Sequence, residues 1–335
     1  MIRPPSPSVS PQKTAISSGL SIRLGTRASP LAKAQANLVA SALSTYDPSA
    51  EIAIHDVIST GDRILDRPLA DSGGKGLFTK ELDGALLDGS MDIAVHSLKD
   101  VETFMAAGLT LRAVLPRADI RDALILSPKL AAANRIDSIM DLPQNAKIGT
   151  SSVRRQALLQ AMRPDLNFAL IRGNIQTRLA KIAAGEYDAT MLAMAGLERM
   201  KLTQAGLEPS HITILPLEVT DFLPAAGQGA IGIVTRDVIS DDLRTMLDAI
   251  NDSQCMACVT AEREMLAILD GSCRTPIAAH ARLSGDQLHL LGIMVRDDGI
   301  ILSANHQDSA RNASLIGKHV GNDILNQASK INPPL

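Results

Sequence analysis

The sequence predicts a three-domain α/β protein, in which two similar lobes are followed by a small α+β domain. The middle of the chain repeats the beginning: an apolar run at residues 22–24 leads into Gly25-Thr26, and 124 residues later residues 147–148 lead into Gly149-Thr150. The 335 residues are enough for two or three domains. Each repeated segment is predicted to be a strand, a Gly-Thr turn and a polar helix start.

A second pair of matching segments supports the same two lobes. Residues 89–92 read GSMD and residues 185–188 read GEYD, and an apolar run follows each of them. Both segments are typical of a helix that ends at glycine and is followed by a short buried strand. Segments this short also recur by chance, so chance similarity remains an alternative to a true repeat.

The chain is predicted to cross twice between the lobes. Residues 116–122 contain a proline and several charges, and residues 223–229 are rich in glycine and precede an apolar run at 230–234 that predicts a returning strand. Two such crossings form a hinge with a ligand cleft between the lobes. The predicted units are a disordered tail (1–20), a first lobe (21–116 and 230–247), a second lobe (121–223) and a third domain (250–335).

Residues 72–100 carry the densest functional pattern. A glycine-rich turn with Lys75 precedes a helical pattern that ends at Gly89. The apolar side of that pattern comprises Leu77, Leu82 and Leu86. Lys75 is followed by Gly76 instead of Ser or Thr, which excludes a phosphate-binding P-loop. A surface turn with a solvated lysine is the alternative to a functional one.

The strand after this helix ends in a polar tip. Residues 93–95 are apolar and are followed by His96-Ser97-Leu98-Lys99-Asp100. Open α/β sheets bind ligands beyond the carboxyl ends of their strands, so this tip is a candidate active site. From the sequence alone, Asp100 could equally be an ordinary helix cap.

The third domain is predicted to begin with a helix capped by Ser253. Its apolar residues are Cys258, Met265, Leu266 and Leu269. The helix is predicted to end at Gly271, before a strand at residues 288–295.

Three cysteines provide no disulfide framework, which suits a reducing cytoplasm. Cys255 and Cys258 form a C-x-x-C pair that could indicate zinc or redox chemistry. The pair has no second pair and no histidine at ligand spacing, so buried or surface thiols and no metal are expected.

Composition excludes several classes of protein. The formal net charge of −3 gives no basic excess for nucleic acid. The chain has no Trp, two Tyr and four Phe, too few for a base-stacking platform. No apolar stretch approaches the roughly 18–20 residues of a membrane span. A protein without nucleic-acid or membrane partners is expected.

Six arginines are predicted at junctions between strands and helices, although the net charge is negative. They are Arg27, Arg154, Arg155, Arg172, Arg178 and Arg199. Arginine pairs with carboxylates and phosphates through short bidentate hydrogen bonds, and helix N-termini also favour anions. Any one of them could be a solvated surface charge, but together they indicate a ligand with several negative groups.

Eight motifs in fixed order resemble those of the porphobilinogen deaminase (hydroxymethylbilane synthase) family, over about residues 22–291. They are TRASPLAKAQ, GGKGLFTKEL, DIAVHSLKDV, GTSSVRRQ, IRGNIQTRL, GEYDA, AGQGA and AER…GSCRTPI. The resemblance implies two lobes similar to periplasmic binding proteins, with a small third domain. It also implies a transferase of tetrapyrrole (haem) biosynthesis, which condenses four porphobilinogen molecules with loss of ammonia on a dipyrromethane cofactor.

The resemblance assigns roles to individual residues. Asp100 is implied to be catalytic, with Lys99 keeping its carboxyl ionised. Cys273 is implied to hold the dipyrromethane through a thioether. The other implied cofactor contacts are Lys75, Ser97, Thr150, Ser152, Arg154, Arg155, Arg172, Asn174 and Arg178. The implied substrate contacts are Arg27, Ser29, Gln35, Arg199 and Gln228. Two departures from the family pattern are Ser272, for a usual glycine, and Asp71, for a lysine of some members.

The sequence therefore predicts a monomeric cytoplasmic enzyme that takes porphobilinogen and the growing pyrrole chain and passes its product to the next enzyme of the pathway. The alternative, from the lobes alone, is a two-lobed anion-binding protein without catalysis. Asp100 and Cys273 distinguish the two, because a binding protein needs neither. A metal or redox protein built on Cys255 and Cys258 is a third possibility, which requires bound metal.

Overall fold

The computed structural model describes residues 19–63, 76–133, 135–202, 212–269 and 275–331. Its strands are β1 (Ser21–Arg27), β2 (Glu51–Val57), β3 (Ile93–Ser97), β4 (Leu109–Val114), β5 (Asp122–Leu126), β6 (Lys147–Gly149), β7 (Asn167–Ala169), β8 (Ala189–Ala193), β9 (Thr213–Pro216), β10 (Ile231–Arg236), β11 (Ile277–Ser284), β12 (Gln287–Val295) and β13 (Ile301–Ser309). Its helices are α1 (Pro30–Tyr46), α2 (Thr60–Arg63), α3 (Lys80–Leu87), α4 (Pro128–Ala133), α5 (Val153–Met162), α6 (Ile175–Ala183), α7 (Met194–Arg199), α8 (Asp241–Ile250), α9 (Ser253–Ile268) and α10 (Ala313–Ile331).

The strands form two five-stranded mixed sheets and one three-stranded antiparallel sheet. The strand orders are β2-β1-β3-β10-β4 in the first lobe and β7-β6-β8-β5-β9 in the second. In each lobe the first three strands of that order are parallel, and the remaining pairings are antiparallel. The predicted class, two similar α/β lobes with a small C-terminal sheet domain, is confirmed; the predicted domain boundaries stay a prediction.

The repeated Gly-x-x-Asp segments have the same structure in both lobes. Gly89 and Gly185 follow helix ends with positive φ of 78° and 73°. Asp92 accepts from the backbone N–H of Arg23 at 2.8 Å, and Asp188 accepts from that of Lys147 at 2.8 Å. Each aspartate thereby binds the backbone of the strand beside the central strand of its sheet, β1 in the first lobe and β6 in the second.

The predicted turn at Gly25-Thr26 is instead part of strand β1. Gly25 pairs with His55 of β2 and Ala94 of β3. A Cβ on Gly25 would lie 2.8 Å from Leu82 Cδ2, so glycine lets α3 pack against the strand. The buried Thr26 hydroxyl donates to the carbonyl of Ala32 and ties the strand to α1.

Two helix limits differ from the sequence prediction. Leu77 lies in a turn before α3, which begins at Lys80. Helix α9 is capped by Asp252, one residue before the predicted Ser253, because the Asp252 carboxylate accepts from the N–H of Cys255 at 2.7 Å. The predicted end at Gly271 lies outside the described residues.

The third domain packs α9 and α10 on one face of its sheet. Gly317 and Gly321 allow close contact, since a Cβ on Gly317 would lie 2.3 Å from the carbonyl oxygen of Ala261. On the opposite face, Ala278 and Val295 belong to the hydrophobic core of the second lobe. None of the helices in the described part of the chain is long and apolar enough to cross a membrane.

The two crossings between the lobes meet the third domain at a buried ion pair. Arg117, on the outward crossing, donates to both carboxylate oxygens of Glu262 of α9 at 2.8 and 2.9 Å. Glu262 also accepts from the backbone N–H groups of Gly227 and Ala281. This fully buried carboxylate therefore joins the returning crossing, the outward crossing and the third sheet.

Candidate functional site

A cavity of about 700 Å³ lies between the two lobes, beyond the carboxyl ends of their central strands. Among the described residues that line it, Asp100 is the one acidic residue. The basic side chains of its lining are Arg27, Lys99, Arg155, Arg172, Arg178, Lys181 and Arg199. This large excess of positive charge favours a ligand with several carboxylates or phosphates.

Asp100 comes from the polar tip of strand β3. The strand passes into a short 3-10 turn, Leu98–Asp100, whose last residue lines the cavity. The Asp100 carboxylate lies 3.8 Å from Nη1 of Arg27, and the Arg27 guanidinium also stacks 4.2 Å above the ring of Phe78. Arg27 is thus held between an aromatic ring and the carboxylate.

Lys99 is half-buried beside Asp100 and donates to Oε1 of Gln228 at 3.3 Å. Burial and the nearby Arg155 lower the pKa of Lys99 to about 8, although Asp100 and Asp122 oppose the shift. The returning crossing reaches this turn because Gly227 has a φ of 71° and a Cβ there would lie 3.3 Å from the backbone nitrogen of Lys99.

Polar side chains of the first lobe complete its wall. Ser97 exchanges hydrogen bonds with the buried amide of Gln35 on α1 at 2.8 and 3.1 Å. Ser29 caps α1 and accepts from the N–H of Ala32. His96 is almost fully buried, and burial together with the charge of Arg27 lowers its pKa to about 4. The structure places Ser97, Gln35, Ser29 and His96 in the cavity lining.

Neighbouring arginines at the start of α5 lie in different environments. Arg155 lines the cavity, and its guanidinium donates to Asp122 Oδ1 at 2.6 and 3.1 Å and to the carbonyl of Met191 at 2.7 Å. Arg154 donates to Asp122 Oδ2 at 2.8 Å and to the carbonyl of Leu223 at 2.7 Å. Burial alone would raise the pKa of Asp122, but the surrounding cations hold it well below its usual range.

The start of α6 supplies the remaining cofactor-contact candidates of the second lobe. Asn174 caps the helix by accepting from the N–H of Thr177. Arg178 donates through Nε to the carbonyl of Gly173 at 2.9 Å. Burial and repulsion from Arg155 and Arg172 lower the pKa of Arg178 to about 10. A cation that is buried beside other cations is stabilised by an anionic ligand.

The remaining basic residues of the lining are Arg199 and Lys181, both of the second lobe. Arg199 of α7 donates through Nη2 to the carbonyl of Gly229 at 2.6 Å, across to the returning crossing. Burial lowers the pKa of its guanidinium. Lys181 follows Arg178 by three residues on α6, and so lies on the same helix face.

Four of the predicted contact residues do not line the cavity: Thr150, Ser152, Arg154 and Gln228. They bind protein groups next to the cavity instead. Thr150 Oγ1 accepts from the N–H of Ser152, and Ser152 caps α5 by accepting from the N–H of Arg155. Gln228 is fully buried, and Arg154 is turned toward Asp122 and the ring of Phe222. The predicted Lys75 and Cys273 lie outside the described residues.

Sequence reasoning missed Asp122, Phe78, Lys181 and the role of His96. Asp122 follows Arg121 in a charged crossing, where nothing in the local sequence distinguishes it from a surface carboxylate. Lys181 could have been found, because it stands three residues after Arg178 in a predicted helix.

The cysteine pair lies in the core of the third domain. Cys255 and Cys258 are both buried free thiols, and burial raises their pKa to about 12 and about 11. Thiols protonated to this degree are poor nucleophiles and poor metal ligands. The part of the chain that the structure describes contains no group of three or more His, Cys, Asp or Glu residues able to hold a metal ion.

Comparisons with known proteins agree on one family. Residues 22–245 match the model of the porphobilinogen deaminase dipyrromethane cofactor binding domain, and residues 256–326 match that of the porphobilinogen deaminase C-terminal domain. A porphobilinogen deaminase of Nitrobacter hamburgensis is 46% identical over 92% of this chain and 93% of that protein. One of Paracoccus denitrificans is 45% identical over 92% of this chain and 94% of that protein.

Among solved structures, the BenM effector binding domain with benzoate is similar over 69% of this chain and 90% of that chain, at 16% identity and a TM-score of 0.41. The family models cover most of the chain, and the sequence identity extends over more than nine-tenths of it. This chain belongs to the porphobilinogen deaminase family.

Proposed function

We propose that this chain joins four porphobilinogen molecules head to tail, with loss of ammonia, on a dipyrromethane held covalently by Cys273, and releases hydroxymethylbilane. The observation that carries this proposal is the cavity, whose lining includes, among the described residues, seven basic side chains and one carboxylate. Porphobilinogen carries an acetate and a propionate, so every unit brings two anions into this field. The enzyme acts as a cytoplasmic monomer and passes its product to the next enzyme of the pathway.

The donor set of the cavity fits a dipyrromethane, which carries four carboxylates. Arg155, Arg172 and Arg178 of the second lobe would hold these groups together with Ser97 and Asn174. The lowered pKa of Arg178 shows that its charge is poorly compensated by the protein alone. When bound, the dipyrromethane supplies the free pyrrole α-carbon that attacks the substrate.

Asp100 stabilises the positive charge that develops on the substrate as ammonia leaves. The substrate ammonium and the cation that forms from it are both repelled by the basic lining, so Asp100 gives the cavity its one favourable position for them. About one-third of the Asp100 side chain is exposed, which leaves its second oxygen able to face the substrate. A carboxylate held in position acts on the developing charge with little reorganisation during the reaction.

Three basic residues of the cavity act together with Asp100. Arg27 pairs with Asp100 and stacks on Phe78, which holds its guanidinium at the cavity wall, where it can also bind a substrate carboxylate. Lys99 places a second positive charge next to Asp100. Arg199 reaches the same cleft from the opposite lobe. These three residues are assigned to the substrate and the lengthening chain.

The alternative of an anion-binding protein without catalysis rests on the paired lobes. Such a protein needs the arginines but neither Asp100 nor a covalent primer. Membership of the porphobilinogen deaminase family favours the transferase.

Intact-mass measurement of the purified chain tests the covalent primer. Wild type is expected to carry the mass of a dipyrromethane and to give the colour reaction of pyrroles with an acidic aldehyde reagent. Cys273→Ser is expected to fold and to lose both signals. Cys255→Ala and Cys258→Ala are the matched controls, because both thiols are buried and protonated, and should retain both signals. Retention of the adduct by Cys273→Ser would exclude this attachment.

A further inference from the structure

A buried polar network lies beneath the cavity, where the chain crosses between the lobes. Asp122 is the first residue of β5 and is fully buried. One carboxylate oxygen accepts from Arg155 at 2.6 and 3.1 Å, and the other accepts from Arg154 at 2.8 Å. Asp122 does not line the cavity, so its charge acts on Arg154 and Arg155 and not directly on a ligand.

Gln228 extends this network to the other lobe. Its Nε2 donates to the carbonyl of Ile120 at 2.8 Å and to Asp122 Oδ1 at 3.2 Å. Its Oε1 accepts from Nζ of Lys99 at 3.3 Å. A continuous path of hydrogen bonds therefore runs from Lys99 through Gln228 and Asp122 to Arg155.

The chemistry of the three positions requires a glutamine. Lys99 can only donate, while the carbonyl of Ile120 and the ionised Asp122 can only accept, so the amide orientation is fixed. A carboxylate at position 228 would place an acceptor against two acceptors, and an apolar side chain would leave all three groups without this partner. An unpaired buried polar group is destabilising, which disfavours both replacements.

The charges explain why this network matters to the site. The charges of Arg154 and Arg155 repel that of Lys99, whereas the charges of Asp100 and Asp122 attract it. Asp100 faces the substrate, so Asp122 is the permanent countercharge of the two cavity cations. Without it, Lys99 and Arg155 would repel each other inside a half-buried cleft.

We propose that Asp122 and Gln228 are positioning residues, which hold the two cavity cations of opposite lobes, Lys99 and Arg155, at a fixed separation so that together they bind the ligand's carboxylates. The network lies on both crossings, so it also fixes the relative position of the lobes at the site. The identity of the ligand rests on the proposed function, but the positioning of Lys99 does not.

Trace acetylation of Lys99, followed by peptide mass spectrometry from neutral to alkaline pH, tests the proposal on the purified holoenzyme. Only the neutral amine reacts, so the midpoint of the profile reports the ionisation of Lys99 and the alkaline plateau reports its accessibility. Asp122→Asn should lower the midpoint by about one pH unit and speed the labelling about fivefold at pH 7. Gln228→Met should shift the midpoint in the same direction by a smaller amount.

Asp92→Asn is the control, since it removes a paired carboxylate of the first lobe that is remote from Lys99. It should leave the Lys99 profile unchanged. If Asp122→Asn does not fold, Gln228→Met still decides the matter, because it keeps every charge. Unchanged midpoints in the folded variants, or a higher plateau with the same midpoint, would overturn the proposal. Neither outcome depends on product formation, so failure of the proposed reaction would be recognised separately.

Discussion

The two lobes have the same strand order and directions, yet they contribute different charges to the cleft: among the described lining residues, the one carboxylate comes from the first lobe and five of the seven basic side chains come from the second. Strands β1 and β3 of the first lobe pair in the same register as β6 and β8 of the second. Gly25 therefore corresponds to Gly149, and Ile93 corresponds to Ala189. Counting onward from these pairs, the lobe-two residues that correspond to Lys99 and Asp100 are Ala195 and Gly196. The first lobe thus presents the carboxylate of the proposed reaction, whereas the second presents small residues at that tip.

The second lobe places its charge at helix starts instead. Arg155 and Arg178 enter the cavity from the first turns of α5 and α6. The corresponding helix start in the first lobe carries Pro30 and Leu31, which are uncharged. One scaffold therefore yields a lobe for chemistry and a lobe for anion binding, and the difference lies in a few residues at the strand tips and helix starts.

The largest expected effect comes from making the first tip resemble the second. Asp100→Asn keeps the shape of the side chain but removes the charge that faces the developing cation. We expect turnover to fall on the order of 10²–10³-fold, with the fold and the bound cofactor retained. Single-turnover kinetics and intact mass measure the two properties separately.

Glu198→Gln is the matched control for this variant. Glu198 lies two residues beyond Gly196 in the second lobe, is exposed and does not line the cavity. Its replacement should leave turnover unchanged. Near-normal activity of Asp100→Asn would remove this carboxylate from the mechanism.

The next effect separates the binding roles of the two lobes. Arg178→Leu removes a cation assigned to the cofactor, and a lost charged hydrogen bond costs about 1.5–3 kcal/mol. We expect roughly ten- to hundredfold weaker retention of the cofactor precursor, so that mostly unmodified protein is purified. Arg27→Leu should keep the cofactor but slow the addition of porphobilinogen.

Intact mass before and after brief exposure to porphobilinogen distinguishes these outcomes. Arg178→Lys is expected to restore cofactor loading only in part, because an ammonium cannot reproduce the paired contacts of a guanidinium. If both leucine variants were loaded and extended like wild type, the cavity arginines would have no role in ligand binding.

A smaller effect concerns His96, which corresponds to the buried Leu192 of the second lobe. The pKa of His96 is lowered from 6.5 to about 4, mainly by burial. The unfolded chain therefore binds the proton more readily between these values, and stability present at neutral pH is lost as the pH falls toward 4. The loss amounts to about 3 kcal/mol at most.

His96→Leu should remove this part of the acid sensitivity by copying the residue of the second lobe. Urea unfolding midpoints of the variant, measured from neutral pH down to about pH 4, should fall less steeply than those of wild type. His55→Gln changes an exposed histidine of β2 and serves as the control, with the steepness of wild type. Equal slopes for His96→Leu and wild type would show that His96 is not the group that titrates.

Local sequence patterns predicted much of this arrangement. The glycines at 89 and 185, the strand tip at Asp100 and the helix starts near Arg155 and Arg178 all depend on neighbours within a few residues. The contacts of Arg154 depend instead on residues that are distant in sequence. Arg154 and Arg155 both bind Asp122, but Arg154 also donates to the carbonyl of Leu223, which is 69 residues away in sequence. The sequence contains both residues, but only the packed hinge brings them together.

Dependence on distant residues also accounts for the wrong prediction of a turn at Gly25. Its Gly-Thr pair matches that of Gly149, and both were expected in turns. Both glycines lie in strands instead, in β1 and β6, and at each a side chain from a distant part of the chain leaves no room for a Cβ: Leu82 at Gly25 and Tyr187 at Gly149. Predictions from short motifs are therefore reliable for helix ends and strand tips, and weaker where a distant element decides the conformation.

The smallest expected effect tests how equal the lobes are away from the cleft. Asp92 accepts from the backbone N–H of Arg23 in β1 and Asp188 from that of Lys147 in β6, but Asp92 also accepts two side-chain hydrogen bonds from Arg23, at 2.7 and 3.0 Å. Lys147, which takes the place of Arg23, instead donates to the carbonyl of Glu186. Asp92→Ala should therefore lower the free energy of unfolding by about 2 kcal/mol and Asp188→Ala by about 1 kcal/mol, with unchanged activity. Chemical denaturation of both variants measures the difference, and equal losses would mean that the pairing of Asp92 with Arg23 adds nothing to the shared backbone hydrogen bond.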